Sequence, residues 1–185
     1  MYYNGQGVPQ SYSQAAVWYR KAADQGDAFA QYNLGNMYHN GQGVLQNYSQ
    51  AVVLYRKAAE QGKAFAQFAL GDMYRNGQGV PQNYSQAAVW YRKAADQGHS
   101  ESLSHLGMGY EFGQFSAKNL VLAHIFYNLA AVSGDEKSRE NRDRVTQQLT
   151  SAQLSEAQEL ASKWVKGKPL PTITKTYPSS KKRKQ

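Results

Sequence analysis

MYYNGQGVPQSYSQAAVWYRKAADQG (residues 1–26) returns as MYRNGQGVPQNYSQAAVWYRKAADQG (residues 73–98), changed only at Tyr3/Arg75 and Ser11/Asn83. A related copy begins at Met37, and a diverged one spans the region around Gly109. The loop glycines Gly5, Gly41, Gly77 and Gly113 fall 36 residues apart. A constant period in this range marks a chain of stacked units rather than one globular core. Each unit buries its apolar face only against its neighbours.

Within a unit the apolar period is helical. AFAQYNLGNMYHN, from Ala28, puts Ala30, Leu34, Met37 and Tyr38 at i, i+4, i+7 and i+8, one face of an amphipathic helix. Gly35 lies inside that face and recurs as Gly71 and Gly107. A mid-helix glycine costs roughly 1 kcal/mol against alanine, so its recurrence predicts a close approach by a neighbouring helix. Gly41 and Gly43 end the first helix, because glycine tolerates the positive φ of a C-terminal cap. The second helix is expected from Asn47, with Asn47/Gln50 at capping-box spacing. Ser11/Gln14 and Asn83/Gln86 repeat that spacing; Asn119 is followed by Leu122 instead, which predicts a weaker cap in unit four. Ala51, Leu54, Tyr55, Ala58 and Ala59 face inward, and Gly62 ends the helix.

The chain has 185 residues, no cysteine and a net charge of +8. The absence of cysteine excludes a disulfide scaffold, a thiol nucleophile and a Cys-ligated zinc. The charge sits at one end: Lys163, Lys166, Lys168, Lys175, Lys181, Lys182, Arg183 and Lys184 account for the excess, and residues 1–162 balance. The repeat body therefore lacks the basic stripe expected of a nucleic-acid-binding solenoid. Neither a membrane-spanning run nor a signal peptide is visible, and the compartment stays open.

Leu34-Gly35, Tyr38, Gly41 and Gly43-Val44, followed by Ala51, Tyr55, Lys57, Ala58-Ala59 and Gly62, form a pattern that resembles the Sel1-like repeat, a relative of the tetratricopeptide repeat. Unit three repeats it with Leu70-Gly71, Tyr74, Gly77, Gly79-Val80, Ala87, Tyr91, Lys93, Ala94-Ala95 and Gly98. Unit four keeps Leu106-Gly107, Tyr110, Gly113, Ala123, Tyr127, Ala130-Ala131 and Gly134, but places Phe115 at the second loop glycine and Leu129 at the lysine. The resemblance implies an all-α, right-handed α/α superhelical solenoid of helix-turn-helix repeats. The expected organisation is a partial repeat at 1–26, repeats at 27–62 and 63–98, a diverged repeat at 99–134, capping helices at 135–167 and a disordered basic tail at 168–185.

The capping pair is read from the charged helix after Gly134 and from Thr150/Gln153, a capping-box pair ahead of Leu154, Ala157, Ala161 and Trp164, with Gly167 as its stop. At the other end, Met1 aligns with Met37 and Met73, inside the first helix of their units. Two readings follow: a truncated boundary, or an open end around Val17, Trp18 and Tyr19 that supports head-to-tail self-association.

No catalytic constellation emerges. The four histidines show no i, i+4 pair, the GQGV loops lack a following Gly-Lys-Ser/Thr, and no GxSxG elbow is present. No catalytic residue, metal site or small-molecule cofactor is expected. By the resemblance, first helices line the concave surface of the array. Phe29, Tyr32, Asn36, His39, Asn40, Phe65, Phe68, Asp72, Arg75, Asn76, Met108 and Phe112 are then the candidate contacts for a protein or peptide partner. Aromatic and arginine anchors suit such an interface. Phe29 and Phe65 have a second reading as fillers between repeats. The function expected is a non-enzymatic scaffold or adaptor. The alternatives are a cell-wall or β-lactam hydrolase, a link the resemblance suggests only for cysteine-rich members, and association of the tail (Lys181 to Lys184) with nucleic acid or an anionic membrane surface.

Overall fold

A computed structural model describes residues 11–172, and every regular element among them is an α-helix. Second helices of the four units are α1 (Tyr12–Asp24), α3 (Tyr48–Glu60), α5 (Tyr84–Asp96) and α7 (Leu120–Val132); first helices are α2 (Ala28–Asn40), α4 (Ala64–Asn76) and α6 (Ser100–Glu111). Two further helices follow, α8 (Glu136–Thr146) and α9 (Ser151–Lys163). Each helix packs on the next from α1 to α8, and α9 lies on α7. The result is an all-α repeat solenoid.

The helical glycines receive the ring of the second helix. A Cβ on Gly35, Gly71 or Gly107 would stand 2.7 Å from a ring carbon of Tyr55, Tyr91 or Tyr127, respectively. Those three tyrosines are buried, Tyr91 and Tyr127 fully. Large ring and bare backbone thus fix the spacing inside each helix pair. Between units, the hydroxyls of Tyr38, Tyr74 and Tyr110 accept from the guanidinium groups of Arg20, Arg56 and Arg92 on the preceding second helix, at 2.8 Å for Arg56 and 3.2 Å for Arg92.

Asn119 caps α7 as the other units are capped: its Oδ1 accepts from Leu122 N at 3.0 Å. The weaker cap expected there does not arise, because the side chain of the cap residue alone makes this bond. Gln14, Gln50 and Gln86 give their backbone N–H to the same kind of cap, while the complete reciprocal box forms at Thr150/Gln153. Leu122 instead lies 7% exposed in the cluster that holds Ala157 and Ala161 of α9.

The α8 helix is pinned by a buried carboxylate. Glu111, 3% exposed, receives Arg144 through both oxygens and Tyr127 Oη at 2.9 Å. After α9, which ends at Lys163 rather than at Gly167, the chain turns back along the end of α5. Gly167 N donates to Asp96 O at 2.7 Å and Leu170 N to Asp96 Oδ1 at 2.9 Å. Leu170 is 4% exposed, so the segment expected to be free from Lys168 onward begins as a packed strap. Residues 1–10 and 173–185, with the alignment of Met1 and the Lys181–Lys184 expectation, lie outside the described residues.

Candidate protein-binding face

The first helices present two aromatic groups and a polar row. Near the start of α2 and α4, Phe29, Tyr32 and Phe65 come together: Tyr32 and Phe65 centroids lie 4.5 Å apart, and Phe29 meets Phe65 edge-on at 6.4 Å. Phe29 is 59% exposed, whereas Tyr32 and Phe65 are half-buried. Phe65 therefore does fill space between repeats, and Phe29 stands at the lip. One unit on, Phe68 stacks with His105 at 5.3 Å and with His99 at 5.0 Å, and His105 lies parallel to Tyr91 at 5.2 Å. Burial holds both imidazoles below the usual histidine range, with the Arg75 charge adding to the effect at His105.

Mid-helix, the polar candidates are already engaged. Tyr55 Oη donates to Asn36 Oδ1 at 2.7 Å, and Tyr91 Oη to Asp72 Oδ1 at 2.6 Å. Burial pushes both phenols well above the usual tyrosine range, and the Asp72 carboxylate adds to this at Tyr91. The two phenols stay protonated donors at any physiological pH. Arg75 pairs with Asp72 at 3.6 Å. At the helix ends His39 Nδ1 meets Asn40 Oδ1 at 2.8 Å, and the side chains of Asn40 and Asn76 are exposed.

Unit four breaks this pattern. Met108 stands where Asn36 and Asp72 stand, and Tyr127 turns to Glu111 instead. Phe112, 62% exposed, is apart from the two aromatic groups. His105 was not among the residues nominated from sequence, although its contacts make it central. The available signal was its departure from the repeat, Asn33 and Ala69 holding the same register. Among the described residues no three metal-ligating side chains come together, and no helix is long and apolar enough to cross a membrane.

Comparison with known proteins matches this architecture. The Sel1 repeat family model matches residues 1–27, 28–63, 64–99 and 100–135. A protective antigen present in uropathogenic Escherichia coli strains, displaying an SLR fold, is similar at 39% identity over 85% of this chain, with a TM-score of 0.79. The chain spans only 36% of that protein's length. A Sel1 repeat protein from Oxalobacter formigenes is similar at 32% identity over 88% of this chain and 68% of its own, with a TM-score of 0.76. Comparison with curated proteins gives no match.

Proposed function

We propose that this chain, which belongs to the Sel1 repeat family, is a scaffold that holds an extended protein segment against its first helices. Sel1 repeat proteins generally mediate protein–protein interaction, and the fold is typically a non-enzymatic scaffold. One observation carries the reading furthest: the face of α2, α4 and α6 joins two aromatic groups to exposed asparagines. Phe29 at the lip and the Phe68–His105 stack offer apolar anchors. Asn40 and Asn76 offer amide groups for a partner backbone, and Arg75 a guanidinium. His39 meets Asn40, Phe65 and Tyr32 pack behind Phe29, Asp72 pairs with Arg75, Asn36 accepts from Tyr55 beside them, and Met108 and Phe112 extend the face into unit four. Aromatic and arginine anchors dominate interface energetics in general.

The test is replacement of Asn40, Arg75 and Asn76 together by alanine, with affinity measured for a partner captured by pull-down. A loss of about 2 kcal/mol or more is expected for an interface centred on these groups; unchanged affinity refutes the assignment. The hydrolase and tail-binding alternatives draw no support from any feature of the described residues.

A further inference from the structure

The edge of the array changes character at the end of α7. Where unit three has Gln67, Lys93, Asp96 and Gln97, unit four has Leu103, Leu129, Val132 and Ser133. The packing of α9 and the strap accounts for part of this change. Leu103 and Leu129 are buried in the cluster that includes Ala157, Ala161 and Leu170. Val132 has no such reason: it is 80% exposed at a register where the other units carry Asp24, Glu60 and Asp96. Together with Trp164 and Lys166, these residues line a groove of about 460 Å³ between the end of α7, α9 and the strap. That volume has room for a bulky side chain, in a groove that is open to solvent along one side.

Charge at the rim selects among occupants. Lys166 lines the groove and Lys168 is exposed on the strap. Carboxylates near these elements have partners within the fold: Asp96 accepts Leu170 N, Asp135 accepts Ser138 Oγ, and Glu159 pairs with Lys163 at 2.5 Å. The strap also demonstrates the mode of binding within the chain itself, since a short extended segment seats one leucine and ties its backbone to the repeat edge.

We propose that this groove is a docking site, separate from the first-helix face, for a short acidic segment of another protein that inserts one bulky apolar side chain over Val132. The apolar floor takes the anchor, and Lys166 and Lys168 attract the flanking carboxylates. Opposite charge at a rim raises the encounter rate and rejects basic segments.

The probe is a fluorescein-labelled octapeptide with Leu-Phe at its centre and glutamates on both sides, titrated with the full chain by fluorescence anisotropy. Saturable binding is expected, weakened about tenfold or more by Val132→Glu and by Lys166→Glu. Both positions are exposed, and an unchanged thermal midpoint verifies that each variant folds. The Asn40, Arg75 and Asn76 triple replacement is expected to leave this binding within about twofold, which separates the groove from the first-helix site. Absence of saturation overturns the proposal, as does equal binding of a peptide with Ser-Ser at its centre, which reduces the effect to charge. Loss of binding on deleting residues 173–185 overturns it by placing the site in the tail. A concentration-dependent dimer abolished by Val132→Glu overturns it in favour of a second copy.

Discussion

The ring of Phe115 occupies the space that a side chain at position 109 would take: a Cβ on Gly109 would lie 1.9 Å from Phe115 Cε2. In units two and three this register holds Met37 and Met73, both buried, while glycine holds the loop register of Phe115. Unit four has exchanged the two. A ring reaching in from the loop replaces a thioether reaching out from the helix, and it meets Tyr91 at 6.1 Å and Tyr110 at 6.2 Å.

That exchange predicts a compensating pair. Gly109→Met alone is expected to overpack the site by about 1–3 kcal/mol, and Phe115→Ala to leave a cavity worth about 2–4 kcal/mol. The double variant is expected to lose less than the sum, with a coupling of about 1 kcal/mol or more in a urea-denaturation cycle. Strict additivity contradicts the exchange.

The glycine at position 71 makes a sharper test of spacing. Alanine normally gains roughly 1 kcal/mol over glycine in a helix interior. Here its Cβ would fall 2.7 Å from the buried ring of Tyr91, so Gly71→Ala is expected to destabilise by about 1–3 kcal/mol. A rise in the thermal midpoint counts against ring-on-backbone packing.

Stability is expected to decline in mild acid. Burial holds His99, His105 and His124 below their ordinary value of 6.5. The unfolded chain then binds more protons than the folded one as pH falls. Stability from these groups is complete above 6.5 and is lost progressively as pH drops through the folded values. His124 is 3% exposed, its Nδ1 has no hydrogen-bond partner, and Arg142 and Asp143 of α8 face it. Urea midpoints from about pH 7.5 to about pH 5 measure the decline, and His124→Leu is expected to shallow it.

The strap is expected to carry real stability. Leu170→Ala removes a buried side chain and should cost about 2–3 kcal/mol, while Asp96→Ala removes the acceptor of Leu170 N and should cost about 1–2 kcal/mol. Limited proteolysis reads the result directly, through faster cleavage between Lys163 and Lys168 in both variants. Unchanged cleavage rates argue that the strap holds nothing.

The sequence alone determined the helices and their pairing. A 36-residue period, glycines at two fixed registers and apolar residues at helical spacing are local signals, and each follows from short-range backbone and side-chain chemistry. The close approach at Gly35, Gly71 and Gly107 was legible for the same reason: a costly residue kept in every unit needs a structural partner. Only the tertiary structure decided what unit four's departures mean. Leu122 and Leu129 read as defects of a repeat until α9 is seen lying over them, and Gly109 and Phe115 read as unrelated substitutions until their volumes are seen to coincide. Asn36 and Asp72, candidate partner contacts by their register, accept tyrosine hydroxyls within the fold, while His105 takes its place between Phe68 and Tyr91. These relationships join residues on different helices, where no periodicity along the chain reports distance, and they were set by which surfaces the fold brought close enough to exclude water.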